Sequence, residues 1–155
     1  MSKTIDRLAF VTRVLAGICL GIMTLMVGIL ILGRYLSLSV PWADELGRIF
    51  FVWASLLGAS SGTHKRIHFA VSFFTAYLKE PTRRKLDFAI SLMVIAITIL
   101  VMIVGWDSLK VAQVLTFPGL QISKMWMSLP IVISPILITV FMVEHIRLKF
   151  IIRSK

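Results

Sequence analysis

The sequence predicts an all-α integral membrane protein with four transmembrane helices, a short interfacial amphipathic helix and both termini in the cytoplasm. Three observations lead there. The 155 residues are 58% hydrophobic, above the roughly 45–50% apolar share of an ordinary soluble domain, and the mean hydropathy is +0.94. The apolar residues gather in uncharged runs long enough to cross a bilayer. The basic residues gather in alternate connecting segments.

The first run, 14–33, holds no charge between Arg13 and Arg34. At about 1.5 Å of rise per residue, roughly 20 helical residues cross a hydrocarbon core of about 30 Å. Lys3, Arg7 and Arg13 precede the run, as in a secretory signal. The apolar stretch is too long for one, however, and no small-x-small cleavage site follows. It reads as an uncleaved signal anchor.

The second span is expected over 41–63. Ser39 can cap it, Pro41 suits the first turn, and Asp44 and Glu45 suit the positive end of the helix dipole. A helix of that extent covers about 33 Å. Asp44, Glu45 and Arg48 then fall in its first two turns, near one membrane face. Arg48 lies three residues from Glu45 and four from Asp44, and either spacing allows an ion pair. Two readings stand side by side: a self-satisfied pair at headgroup level, or a docking point for a protein or a lipid headgroup.

Residues 68–78 are too few to cross. Phe69, Phe73 and Tyr77 recur at intervals of four, which predicts a helix lying in the interface or entering a partner. Pro81 then opens the third span, 86–106, with Arg83, Arg84 and Lys85 at its start and Trp106 at its far end, where interfacial aromatics belong. Phe117-Pro118-Gly119 signals a turn. The fourth span, 125–144, follows with Trp126 as an anchor. Pro130 and Pro135 lie inside it and predict a kink. A bent packing helix is preferred there over a hinge, because proline is common in membrane helices.

The net charge of +10 follows topology rather than a nucleic-acid surface. Segments 1–13, 64–87 and 144–155 are basic, whereas 34–48 is balanced and 105–124 nearly so. That alternation is the positive-inside pattern for four spans with the N- and C-termini inside. With no segment large enough for a soluble unit, 1–155 reads as one membrane domain.

Chemistry finds little support. The single cysteine, Cys19, lies in the first span, so neither an intramolecular disulfide nor a thiolate metal site is available. No phosphate loop, nucleophile elbow or HExxH pattern occurs, and no ionisable residue stands at the middle of a span. No enzymatic activity, cofactor or metal is expected. His68 has His64 four residues before it but no acid or cysteine nearby, which favours an interfacial histidine over a ligand. Gly17-x-x-x-Gly21 and Gly58-x-x-x-Gly62, the latter extended by Ala54, match the pattern for close helix packing.

The stretch from Pro41 to Ala59 resembles the small membrane subunit of TRAP transporters, the DctQ family. Trp42, Glu45, Arg48, Trp53, Gly58 and Ala59 match the family's order and spacing. Lys65, Arg66 and His68 match its basic stretch and histidine. Four residues on, Ser72 stands where the family often has aspartate. Leu120, Ile122, Trp126 and Pro130 fit the approach to its last helix. The resemblance implies a subunit of the bacterial inner membrane that braces a large ion-coupled transport subunit, usually sodium-driven. It also implies that the subunit helps receive a periplasmic binding protein carrying an organic acid of the sialic acid or C4-dicarboxylate class. The resemblance together with the spacing arguments above makes Trp42, Asp44, Glu45, Arg48, Trp53, Gly58, Gly62, His68, Phe69, Phe73 and Tyr77 candidates for contact with the partner subunits or with membrane lipids.

The rival is a self-sufficient small four-helix transporter. It would want a carboxylate embedded in the first span, and 14–33 has none.

Overall fold

A computed structural model describes residues 3–75 and 80–147. Four helices account for most of them: α1 (Lys3–Tyr35), α2 (Pro41–Thr75), α3 (Glu80–Val114) and α4 (Met125–Ile146). Three contain stretches long and apolar enough to cross a membrane: Ile5–Tyr35, Phe88–Val114 and Met125–Glu144. In α2 the run over 41–63 carries Asp44, Glu45 and Arg48 at one end and Ser60, Ser61 and Thr63 at the other, so it is the most polar of the expected spans.

The helices are longer than the apolar runs that predicted them. α2 continues without a break through Thr75. The backbone of 68–75 is therefore an extension of α2 and not the separate interfacial helix expected over 68–78. Residues 76–79, with Tyr77, lie outside the described residues, as do the side chains of His68, Phe69 and Phe73. α3 likewise continues past Trp106 to Val114. Asp107 and Lys110 pair on its surface at 3.0 Å, three residues apart on one helical face.

α1 reverses into α2 through a tight C-terminal motif. Leu38 N–H donates to the Gly33 carbonyl at 2.8 Å and Ser37 N–H to the Arg34 carbonyl at 3.3 Å. Ser37 takes the left-handed conformation, φ 54°. This is the Schellman arrangement, which satisfies carbonyls that the helix leaves unpaired. Val40 closes over Gly33 so tightly that a Cβ there would lie 2.7 Å from Val40 Cγ2.

The main helix contacts run in the order α1, α2, α4, α3. Burial follows that order. A third (33%) of the apolar stretch in α4 is buried, against 11% in α1 and 17% in α3. Between lipid-solvated helices the hydrophobic effect supplies little attraction, so close approach and hydrogen bonds carry association. The buried positions reflect this: Ala9, Ala16, Ala43, Ala112, Ser60 and Ser134 stand beside Leu57, Phe141 and Met142. Ser134 Oγ donates to the Leu56 carbonyl at 2.8 Å, joining α4 to α2. Thr98 and Thr139 hydroxyls meet at 3.3 Å, joining α3 to α4.

Candidate functional site

The first turns of α2 divide their charges between two directions. Asp44 accepts from the Arg48 guanidinium one helical turn later, and both side chains are substantially exposed. Glu45 is 8% exposed and faces the α3–α4 connection. Its Oε1 accepts from Gly119 N–H at 2.9 Å, and its Oε2 accepts from Leu120 N–H at 2.8 Å. Of the two ion pairs the spacing allowed, the protein forms Asp44–Arg48, not Glu45–Arg48. Glu45 is instead the anchor of a loop.

That loop is built to meet it. Lys124 N–H donates to the Leu115 carbonyl and Phe117 N–H to the Ile122 carbonyl, each at 2.8 Å, and Thr116 bridges to Ser123. Gln121 closes the turn with φ 55°. Ser123 Oγ donates to the Ala112 carbonyl at 3.0 Å and accepts from Met125 N–H at 3.2 Å. One hydroxyl thus ties the end of α3 to the start of α4. Phe117 is buried beneath the loop.

The bend at 118–120 leaves two N–H groups to be satisfied from outside it, and an ionised carboxylate accepts both. Such charge-assisted bonds are each worth roughly 1.5–3 kcal/mol. A side chain would be crowded where the bend meets α2. A Cβ at Gly119 would lie 2.9 Å from Glu45 Oε2, 3.0 Å from the Trp42 backbone nitrogen and 3.1 Å from Glu45 Cδ.

Trp53 serves a second junction. Its indole Nε1 donates to the Trp126 carbonyl at 2.8 Å. In a regular helix that carbonyl would accept from the residue four positions on, which here is Pro130 and has no N–H. Trp53 on α2 supplies the missing donor. Pro135 deprives the Ile131 carbonyl in the same way. On that side α3 approaches at Gly105, where a Cβ would lie 3.3 Å from the Ile131 oxygen and 2.9 Å from its Cγ2. Both proline positions are therefore covered by a neighbouring helix.

The other expected residues do not converge on this site. The Trp42 side chain is exposed. Among the described residues, and apart from the adjoining backbone of the same helix, no atom lies within 4 Å of a Cβ at Gly58 or Gly62, or at Gly17 or Gly21. Among the described residues the glycine patterns thus mark open helix surface. Among the described residues no group of three His, Cys, Asp or Glu could hold a metal ion.

Sequence reasoning had placed a turn at Phe117-Pro118-Gly119 but not its contact with α2. It missed Gly105 and Ser134 altogether. The glycine within an apolar run and the serine beside two prolines were the available signals.

A family model described as tripartite ATP-independent periplasmic transporters, DctQ component, matches residues 23–151. The comparison with curated proteins finds no match for the chain.

Proposed function

The chain belongs to the DctQ family of tripartite ATP-independent periplasmic transporters, and on that premise we propose that it acts as a scaffold. In this reading it braces the large membrane subunit and offers the rigid α3–α4 loop, beside the start of α2, to the periplasmic binding protein. The organic acid delivered is of the sialic acid or C4-dicarboxylate class. The chain crosses the bacterial inner membrane four times, with the more polar α2 as its second span and both termini inside. The charge alternation supports that orientation.

The observation that carries the scaffold reading is the grip of Glu45 on Gly119 and Leu120. A buried acid thus fixes a loop, each of its two oxygens held by a backbone N–H. The open surface at Gly58 and Gly62 supports a helix–helix contact with another subunit, since glycine lets backbones approach closely.

Co-purification tests this. Gly58→Leu adds bulk to a face that is open among the described residues, so the isolated subunit should keep its thermal stability. Recovery with the tagged large subunit should fall. Undiminished recovery would remove that face from the interface, and failure of even the wild-type chain to co-purify would remove the scaffold role.

A further inference from the structure

A groove of about 480 Å³ runs between α1, α3 and α4, lined by Ile5, Ile99, Met102, Ile136 and Val140, with Glu144 and Arg147 at one end. Its walls are apolar and open to the side. Ile99, Ile136, Val140 and Val143 are each at least 40% exposed. The hydroxyl on the wall is Thr139, which donates to the Pro135 carbonyl at 2.8 Å and lies 3.3 Å from Thr98 Oγ1. It is satisfied within the protein, so the groove offers its occupant no hydrogen bond along its depth.

The dimensions and the charged mouth identify an occupant. From Ile136 to Glu144, where the apolar stretch ends, the rise along α4 is about 12 Å, against about 15 Å for half of a hydrocarbon core. On the membrane-spanning reading the groove therefore takes up most of one leaflet and opens toward the headgroups. There Arg147 presents a guanidinium and Glu144 a carboxylate, three residues apart on one face. Among the described residues neither forms an ion pair.

We propose that this groove holds an acyl chain of an amine-bearing phospholipid, with the phosphate on Arg147 and the primary ammonium on Glu144. A guanidinium binds phosphate through directed charge-assisted bonds. A carboxylate accepts hydrogen bonds from a primary ammonium but none from a quaternary one, which has no N–H. The site thus selects phosphatidylethanolamine over phosphatidylcholine of the same chain length. It rests on the membrane-spanning reading of the chain and not on its part in uptake.

The test is lipid retention by the full chain, purified in detergent with its membrane partner. The complex is offered equal amounts of phosphatidylethanolamine, phosphatidylcholine and phosphatidylglycerol with identical acyl chains, and bound lipids are counted by native mass spectrometry. Wild type should retain phosphatidylethanolamine about tenfold over phosphatidylcholine, the factor one charge-assisted hydrogen bond is worth. E144Q should erase that preference while keeping a bound phospholipid. R147Q, at an exposed position, should lower retention of all three lipids. V140W should displace one lipid without lowering thermal stability. Equal retention of all three lipids by wild type, or a preference for phosphatidylglycerol, would overturn the headgroup assignment. A V140W complex with its full lipid complement would show that protein, not lipid, fills the groove. None of these readouts involves transport, so the scaffold role and the lipid site can fail separately.

Discussion

The carboxylate of Glu45 on α2 accepts the backbone N–H groups of Gly119 and Leu120, 74 and 75 residues away along the chain, one with each oxygen. A side chain from the start of one helix thereby closes the connection between two others. Replacing it with glutamine exchanges one acceptor oxygen for an NH₂ that opposes a backbone donor. A buried donor left unsatisfied costs about 1–3 kcal/mol. Glu45→Gln should lower the detergent melting temperature by several degrees. Asp44→Asn breaks only the exposed pair with Arg48, a type of contact worth about 0–1 kcal/mol. It should leave the melting temperature almost unchanged. Equal effects of the two changes would remove the distinction drawn between these neighbours.

Gly119 and Glu45 should be energetically coupled. Gly119→Ala places a Cβ 2.9 Å from the Glu45 carboxylate and should destabilise the wild-type chain. In a Glu45→Ala background two of its three close neighbours are gone, leaving the Trp42 nitrogen at 3.0 Å. The second change should then cost clearly less than it does alone. A double-mutant cycle measures this, and strict additivity, as expected of independent sites, would contradict the contact.

Trp53 and Pro130 form a second testable pair. Trp53→Phe keeps the ring but removes the donor to the Trp126 carbonyl, so stability should fall. Pro130→Ala restores a backbone N–H that can reach the same carbonyl. Added to Trp53→Phe, it should recover much of the loss. If the double variant melts no higher than Trp53→Phe alone, the orphaned carbonyl is not the reason for the indole's position.

The charge alternation predicts orientation. A reporter active only in the periplasm should be silent when fused after Lys155 and active when inserted near Pro118. The opposite result would invert the topology and move the α3–α4 loop away from any periplasmic partner.

Much of this arrangement was legible in the sequence, for local reasons. Long uncharged runs mark helices, and Pro41 marks the start of α2 because proline fits a first helical turn. The turn at 117–119 also carries its own signal. The choice between Asp44 and Glu45 as partner of Arg48 does not, because helix spacing permits both. Backbone donors from a distant loop decide it by drawing Glu45 away. The coverage of Pro130 by Trp53 was hidden for the same reason: proline announces a missing donor but not its replacement. The Gly58-x-x-x-Gly62 pattern was legible as small-residue spacing, but among the described residues no other helix packs against either glycine. The continuity of α2 past Thr63 was obscured by Lys65 and Arg66, which read as a break at the membrane surface although charged residues extend a helix readily beyond it.

The central claim is that the chain contributes surfaces rather than a transport pathway, and uptake into liposomes tests it most directly. The chain is reconstituted alone, and then with its large subunit and binding protein, and accumulation of a radiolabelled organic acid is followed under an imposed sodium gradient. The account predicts no accumulation by the chain alone and accumulation by the full set. Gradient-driven accumulation by the chain alone would contradict it.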